Sequence, residues 1–397
     1  MNLSVFGNSE QVPFLLTPII ASFTIILAFF LLFLIFKNPF LAIAGSFFLS
    51  LTPVHLKYSH SLSLDMFSLF WLFLTLIFLQ IYLANKKFRS FLLLLAALVF
   101  FAQIRPEGFL LIPLIFLFLF KDKAFPRNNK FLWPALIIFL VLLIPLAQHI
   151  WQGTVKFPQT PWHDSIGQRL NSFKDYSTNN LSFFFNHAFS SIVVSLLAIV
   201  SLFNFKNGQR LKWVLFFLVF FTVFSAYRTG NFIDSLPGDD FIAIYGDASR
   251  YSLILLVPLT ILAVGGLKLI LERTTEGKIQ KAILTSLVLT AFLMSIFPTR
   301  NFVFSKTKYD DGYDLLIMAK DKLPDNSLII TEAPAEIISV TGKRAIYTDI
   351  FKEKYGTHQP RDTQLILFKE YFLRPGDEKY LTDKFDSKLI EKLNDSA

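Results

Sequence analysis

Long apolar runs broken by short polar segments set the pattern of this chain. The runs cover roughly 13–36, 40–56, 66–84, 89–104, 108–120, 131–148, 187–205, 213–227, 251–271 and 282–298. Such runs predict membrane-spanning helices, about ten of them. Two are short: 89–104 and 108–120 reach only about 20–24 Å each as helix, against a hydrocarbon core of about 30 Å. A single helix through 88–121 would put Lys86 and Lys121 on opposite sides, although both flanks are basic. The better expectation is a hairpin whose turn, Gln103-Ile104-Arg105-Pro106-Glu107-Gly108, is sunk below the outer surface. Pro106 and Gly108 suit a turn. Polar backbone at that depth is tolerated where it lines a protein or water cavity. Arg105 and Glu107 then either point into such a cavity or close the hairpin as a local ion pair.

Beyond residue 300 the pattern becomes that of a soluble domain. Tyr309–Lys322 has helical spacing, Ser327–Thr331 is a short β-type run, and Ala333–Val340 is helical again. Gly342 ends that helix and Arg344–Thr348 forms another strand. This is a βαβ-like module, and a parallel pair needs its right-handed crossover. Residues 364–373 read as a further strand, with helices towards the end. The expected fold class is therefore mainly α: a polytopic helical membrane unit over 1–300, followed by a small α/β domain over 301–397. Without a glycine-rich phosphate loop, nucleotide binding has no support.

Composition narrows the class. The 397 residues are 53% hydrophobic, include 48 Phe, and have a mean hydropathy of +0.52. No soluble core of this size hides so much apolar surface. The absence of Cys excludes disulfides and Cys-based metal sites. The net charge of +9 fits basic cytoplasmic loops rather than nucleic acid. Lys37, then Lys86, Lys87 and Arg89, then Lys121, Lys123, Arg127 and Lys130 lie in alternate connections. So do Lys206, Arg210 and Lys212, then Arg273, Lys278 and Lys281. These connections are expected in the cytoplasm, and the others outside. The α/β domain follows an outward-ending run and is expected to be extracytoplasmic, on a multi-pass protein of the cell membrane. The N-terminus is then also outside. Met1–Gln11 carries Glu10 and no basic residue, unlike a cleavable signal. Such a start fits an outward N-terminus, and it fits better a chain that begins after a missing first helix.

The polar break Pro53–Asp65 is the first place to look for chemistry. Asp65 stands at the lip of an apolar run, where a carboxylate is costly. It either caps the helix that follows or faces a chamber at the membrane surface. His55 and His60 lie in the same break, where a His pair is more often interfacial than a metal site. The outer segment 149–186 carries Trp151, Trp162, His163, Asp164, Arg169 and Tyr176, read as interfacial anchors, with gating or acceptor binding as the minority alternative. In 228–250, Gly238-Asp239-Asp240 reads as an ordinary turn more than as a hard-cation site. Arg250 opens the next run on the outer side, where positive charge is under-represented. A substrate or lipid anion is one partner for it; a satisfied interfacial Arg is the other explanation.

Phe6-Gly7-Asn8-Ser9-Glu10 before an apolar run resembles the Phe-Gly-x-Ser-Glu segment of the GT-C superfamily of membrane glycosyltransferases. The branch it is most similar to is the protein O-mannosyltransferase and lipid A aminoarabinose transferase group. Leu51-Thr52-Pro53 through Tyr58-Ser59 to Asp65 resembles that group's Pro-x-x-x-x-x-Ser segment with an acid opening the next helix. Arg105-Pro106-Glu107-Gly108 sits where members carry a short hairpin with a Lys or Arg, and Arg250-Tyr251 before a run also fits.

The resemblance implies transfer of a sugar from a polyprenyl-phosphate donor to a lipid, glycan or protein acceptor at the outer face. A carboxylate should serve as general base to the acceptor hydroxyl, and cations should neutralise the leaving phosphate. In the family the base lies in an outer loop after the first helix, and this chain begins just after both. Either the chain is N-terminally incomplete or its base is lost or relocated. Asp65 resembles a second family acid, one that supports the site or a divalent ion. No cofactor is certain, and a divalent metal is the only one implied. Arg105 matches the basic hairpin position; Tyr58, His60, Glu107, Arg250 and Tyr251 are candidate substrate contacts. The competing classes are a transporter or flippase of a lipid-linked or amphipathic solute, and a non-catalytic membrane subunit. Both fit less well, because polar residues collect at one surface rather than along a path through the bilayer.

Overall fold

A computed structural model describes residues 11–59, 65–126, 129–156, 192–202, 208–226, 253–274, 277–303, 327–331, 344–347 and 364–367, with a few scattered positions between them. The chain divides into two compact units, one of residues 11–305 and one of residues 306–397 with 1–10. The expected helices at Tyr309–Lys322 and Ala333–Val340, the Phe6–Glu10 segment, and the outer segments 157–172 and 228–250 lie outside the described residues.

In the larger unit every apolar run carries a helix. They are α1 (Gln11–Phe36), α2 (Pro39–Ser50), α3 (Pro53–Ser59), α4 (Asp65–Asn85), α5 (Phe88–Ile104), α6 (Leu111–Lys121) and α7 (Leu132–Lys156). They continue as α8 (Ile192–Leu202), α9 (Gly208–Ala226), α10 (Leu253–Glu272) and α11 (Gly277–Val303). Among the described residues three helices are long and apolar enough to cross a membrane, or four if the bent pair α2–α3 counts as one span. Five further apolar helical stretches are shorter. The run 40–56, expected to be continuous, breaks by 66° between α2 and α3. Pro53 explains the break: it offers no N–H and disfavours helical backbone at Thr52. The Thr52 amide turns to the Leu49 carbonyl, and the Thr52 hydroxyl donates to the Phe48 carbonyl in its place; the Ser50 hydroxyl donates to the Phe47 carbonyl.

The tight connections follow local rules. Asn38 caps α2 by accepting from the amides of Phe40 (2.9 Å) and Leu41 (3.2 Å), with Pro39 at the first helical position. Asn85 accepts from the Lys87 amide at 2.8 Å and so turns α4 into α5. At the far end of α5, Arg105 adopts an extended backbone (φ −132°, ψ 117°), and a 3-10 turn, Pro106–Leu110, leads into α6. A continuous helix through 88–121 does not form. Gly108 is required here, because a Cβ would come within 2.9 Å of the Ala102 backbone of α5.

Helix α10 is the centre of the unit. It is buried along nearly its whole length and packs on α8, α9, α2, α4 and α11. Its closest neighbour is α8, where Ser195, Ala198 and Ser201 let the two backbones approach. Helix α4 packs on α1 and α5, and α7 packs on α5. The outer faces are apolar: Trp133, Ile137, Ile138 and Leu140 of α7 are exposed, as are Phe23 and Phe30 of α1. Exposed faces of this kind belong in lipid. The chain is a mainly α-helical membrane protein.

The smaller unit contains a three-stranded parallel sheet, β1 (Ser327–Thr331), β2 (Arg344–Tyr347) and β3 (Gln364–Leu367), in the order β2-β1-β3. Leu328 is aligned with Arg344 on one side and with Leu365 on the other. The central strand is buried from Ser327 to Ile330. That is why it reads as a continuous apolar run rather than an alternation.

The α8–α10 crossing generates a stability prediction. A Cβ on Gly266 would overlap the Leu197 carbonyl of α8, which cannot rotate away. A Cβ on Gly45 would press only on the Leu32 and Val264 side chains. Gly266→Ala should therefore cost about 3 kcal/mol or more and Gly45→Ala about 1–2 kcal/mol. Thermal unfolding of the full chain in detergent, followed by Trp fluorescence, reports the order; equal melting temperatures would contradict the close backbone approach.

Candidate functional site

Asp65 and Arg105 enter the apolar interior at one end of the larger unit, and they meet. Asp65 is the first residue of α4 and Arg105 is the residue after α5, so the antiparallel packing of these helices brings both to the same end. Their side chains form an ion pair, with 5% of the Asp65 and 10% of the Arg105 side chain exposed. The extended backbone at Arg105, forced by Pro106, turns its side chain out of the α5 helical direction. The Arg105 carbonyl accepts from the Gly108 amide at 2.8 Å, which fixes the following turn. Ser68 donates to the Asp65 carbonyl at 2.7 Å and holds the first turn of α4.

The pairing is an arrangement that neither sequence reading of Asp65 contained. Its carboxylate is not used as a side-chain cap: no first-turn amide donates to it among the described residues. Its charge still suits the positive end of the helix dipole. For Arg105, the expected partner was a cavity or Glu107. Among the described side chains, which do not include that of Glu107, Arg105 pairs with Asp65. Glu107 is placed by its backbone in the 3-10 turn.

Helix α3 adds buried polar groups beside the start of α4, against which it packs. Tyr58, Lys57 and His55 are all buried. Neither ring nitrogen of His55 has a hydrogen-bond partner among the described residues, and its burial sets it apart from an exposed interfacial His. His60, Arg250 and Tyr251 lie outside the described residues.

A divalent metal at Asp65 does not fit this donor set. The carboxylate is engaged by a guanidinium, and a cation would have to break this buried pair to bind there. Among the described residues no three His, Asp or Glu side chains gather to hold a metal.

The opposite end of the unit holds a second ion pair that sequence reasoning missed. Lys212 of α9 is buried and binds Asp122, which follows α6; its ammonium also lies 5.7 Å from the centre of the Phe118 ring. The available signal was a lysine inside the first turns of an apolar helix, which demands a counter-charge. Lys37, Lys86 and Asp122 line one recess. The first three basic connections therefore share one end of the helices, and Asp65 and Arg105 occupy the other.

The family model described as dolichyl-phosphate-mannose-protein mannosyltransferase matches residues 1–151, a stretch that includes Asp65, Arg105, Tyr58, His60 and Glu107. This part of the chain is similar to that family. No curated protein matches the chain. The match, together with the apolar helices, supports a membrane glycosyltransferase relationship of the GT-C kind.

Removing one partner of a buried ion pair leaves the other uncompensated, at a cost of about 3–5 kcal/mol. Asp65→Asn and Arg105→Gln should each lower the melting temperature of the purified protein. The double variant, which leaves two neutral groups able to hydrogen-bond, should be less destabilised than the sum of the two. Strict additivity would show that the two side chains do not interact.

Proposed function

We propose that this protein is a glycosyltransferase that moves a sugar from a polyprenyl-phosphate-linked donor to an acceptor at the outer face of the membrane. The observation that carries the proposal is the family match over the segment that holds the buried Asp65–Arg105 pair. The donor class follows from the printed description of that family. The membrane setting agrees with a lipid-linked donor, whose chain stays in the bilayer while its phosphate reaches the surface.

In such a transfer the acceptor hydroxyl attacks the anomeric carbon and the bond from that carbon to the phosphate oxygen breaks. The hydroxyl proton passes to a base, and negative charge grows on the leaving polyprenyl phosphate. Arg105 suits that charge. A guanidinium is a planar fork of five donors, more than one carboxylate accepts, and it matches phosphate geometry. Preorganised cations at the leaving group are a main source of rate in such chemistry. Asp65 holds the fork in place. It is a poor choice for the base, because taking a proton would neutralise the carboxylate of a buried ion pair. Asp65 is therefore the supporting acid, as the family resemblance also implies. Tyr58, His60 and Glu107 are proposed substrate contacts, and Arg250 with Tyr251 a second contact for the phosphate. The face carrying the pair is proposed to be the outer one, because the opposite ends of the helices carry the lysines.

The test is sugar transfer from a polyprenyl-phosphate donor by the full chain in reconstituted membranes. Asp65→Asn and Arg105→Ala should each lower transfer about 100-fold or more, the scale of losing a transition-state charge contact, while remaining expressed and inserted. Unchanged transfer in both variants would remove the pair from the site. Solute flux without any transfer by the unaltered protein would overturn the enzyme reading itself.

A further inference from the structure

The end of the helical unit opposite the ion pair carries a concentration of charge that sugar transfer does not use. Three helices close there on lysines in left-handed backbone: Lys37 after α1 (φ 53°), Lys86 after α4 (φ 52°) and Lys123 after α6 (φ 50°). Glycine is the usual residue at such a closure, because a Cβ is strained there. A lysine does complement the negative end of each helix dipole, and basic loops bias membrane orientation. Neither reason explains why the three converge on shared recesses.

Two recesses adjoin at this end. One, of about 530 Å³, lies among Tyr82, Lys86, Phe88, Lys123, Phe125 and Asn129. The other, of about 500 Å³, is lined by Lys37, Gln80, Lys86 and Asp122. Lys86 and Ala124 line both. The floor is fixed, since the buried Tyr82 hydroxyl donates to the Ala124 carbonyl and Phe120 stacks on Phe125 at 4.8 Å between ring centres. The acid at the rim, Asp122, is taken by Lys212. Lys37, Lys86 and Lys123 are exposed and pair with no acid among the described residues. Beside this basic mouth, Phe120, Phe131 and Trp133 expose 48%, 57% and 71% of their surface. The Lys130 ammonium lies 5.1 Å from the centre of the Phe131 ring.

Cations around a recess call for an anion, and exposed aromatics beside it call for hydrocarbon. A soluble phosphate satisfies only the first. We infer that this recess binds the phosphodiester headgroup of an anionic phospholipid, with the acyl chains along the exposed faces of α6 and α7. The inference is independent of the transfer reaction.

The experiment is native mass spectrometry of the full chain in detergent, offered equal amounts of phosphatidylglycerol and phosphatidylcholine. The variant is Lys86→Asn with Lys123→Asn; asparagine removes the charge and tolerates left-handed backbone better than most residues. Lys278→Asn, an exposed lysine at the start of α11 that lines neither recess, is the control. The unaltered protein and the control should retain phosphatidylglycerol in preference, and the double variant should lose about tenfold or more of that preference. Glycerol phosphate at matched concentration should not displace the lipid. If the double variant melts early, Lys37→Asn alone carries the test and should weaken the preference in the same direction. Equal retention of both lipids by the unaltered protein, or an undiminished preference in the folded variants, overturns the site. Displacement by glycerol phosphate assigns the recess to a soluble anion and overturns the lipid.

Discussion

The Asp65–Arg105 ion pair is the constraint on which one end of the helical unit depends. Each charge alone would be costly where it lies: one opens α4 and the other closes α5, and both are buried. Together they tie the start of α4 to the turn before α6. That turn exists because Pro106 ends α5 and because Gly108 fits against Ala102. The helix break, the absent Cβ and the guanidinium direction are parts of one arrangement. Its product is a cation held in a fixed place at the end of an apolar bundle, which is the kind of group that stabilises a departing phosphate.

Helix positions were legible in the sequence because apolar runs, Pro, Gly and Asn act locally. The ten runs carry helices, Asn38-Pro39 and Asn85 make the turns their chemistry dictates, and the apolar run at Ser327–Thr331 forms a strand paired in parallel on both sides. What pattern alone does not give is which charge meets which. Asp65 had a local explanation as a helix cap, and Arg105 had one in Glu107. Their mutual pairing needs the antiparallel packing of α4 on α5, a tertiary fact. The same holds for Lys212 and Asp122. The bend between α2 and α3 was missed for another reason: the run 40–56 is apolar throughout, and Pro53 was read as the start of a polar break rather than as the residue that divides a helix.

The two ends of the unit differ in kind. At one, a charge pair is buried and neutralised in an apolar surround. At the other, beside the buried Lys212 and its partner Asp122, lysines that follow α1, α4 and α6 stay exposed around open recesses. Buried pairs give fixed geometry, which suits chemistry; exposed lysines give adaptable attraction, which suits lipid headgroups.

The most direct measurement is made on the neutral pair Asp65→Asn/Arg105→Gln, with melting temperature and sugar transfer read on the same reconstituted preparation. Hydrogen bonding between amides preserves much of the packing while removing both charges. The account predicts a folded protein with most of its thermal stability and no detectable transfer from a polyprenyl-phosphate donor. Transfer at the unaltered rate by this folded variant would contradict it, because the pair would then be a structural tie and nothing more.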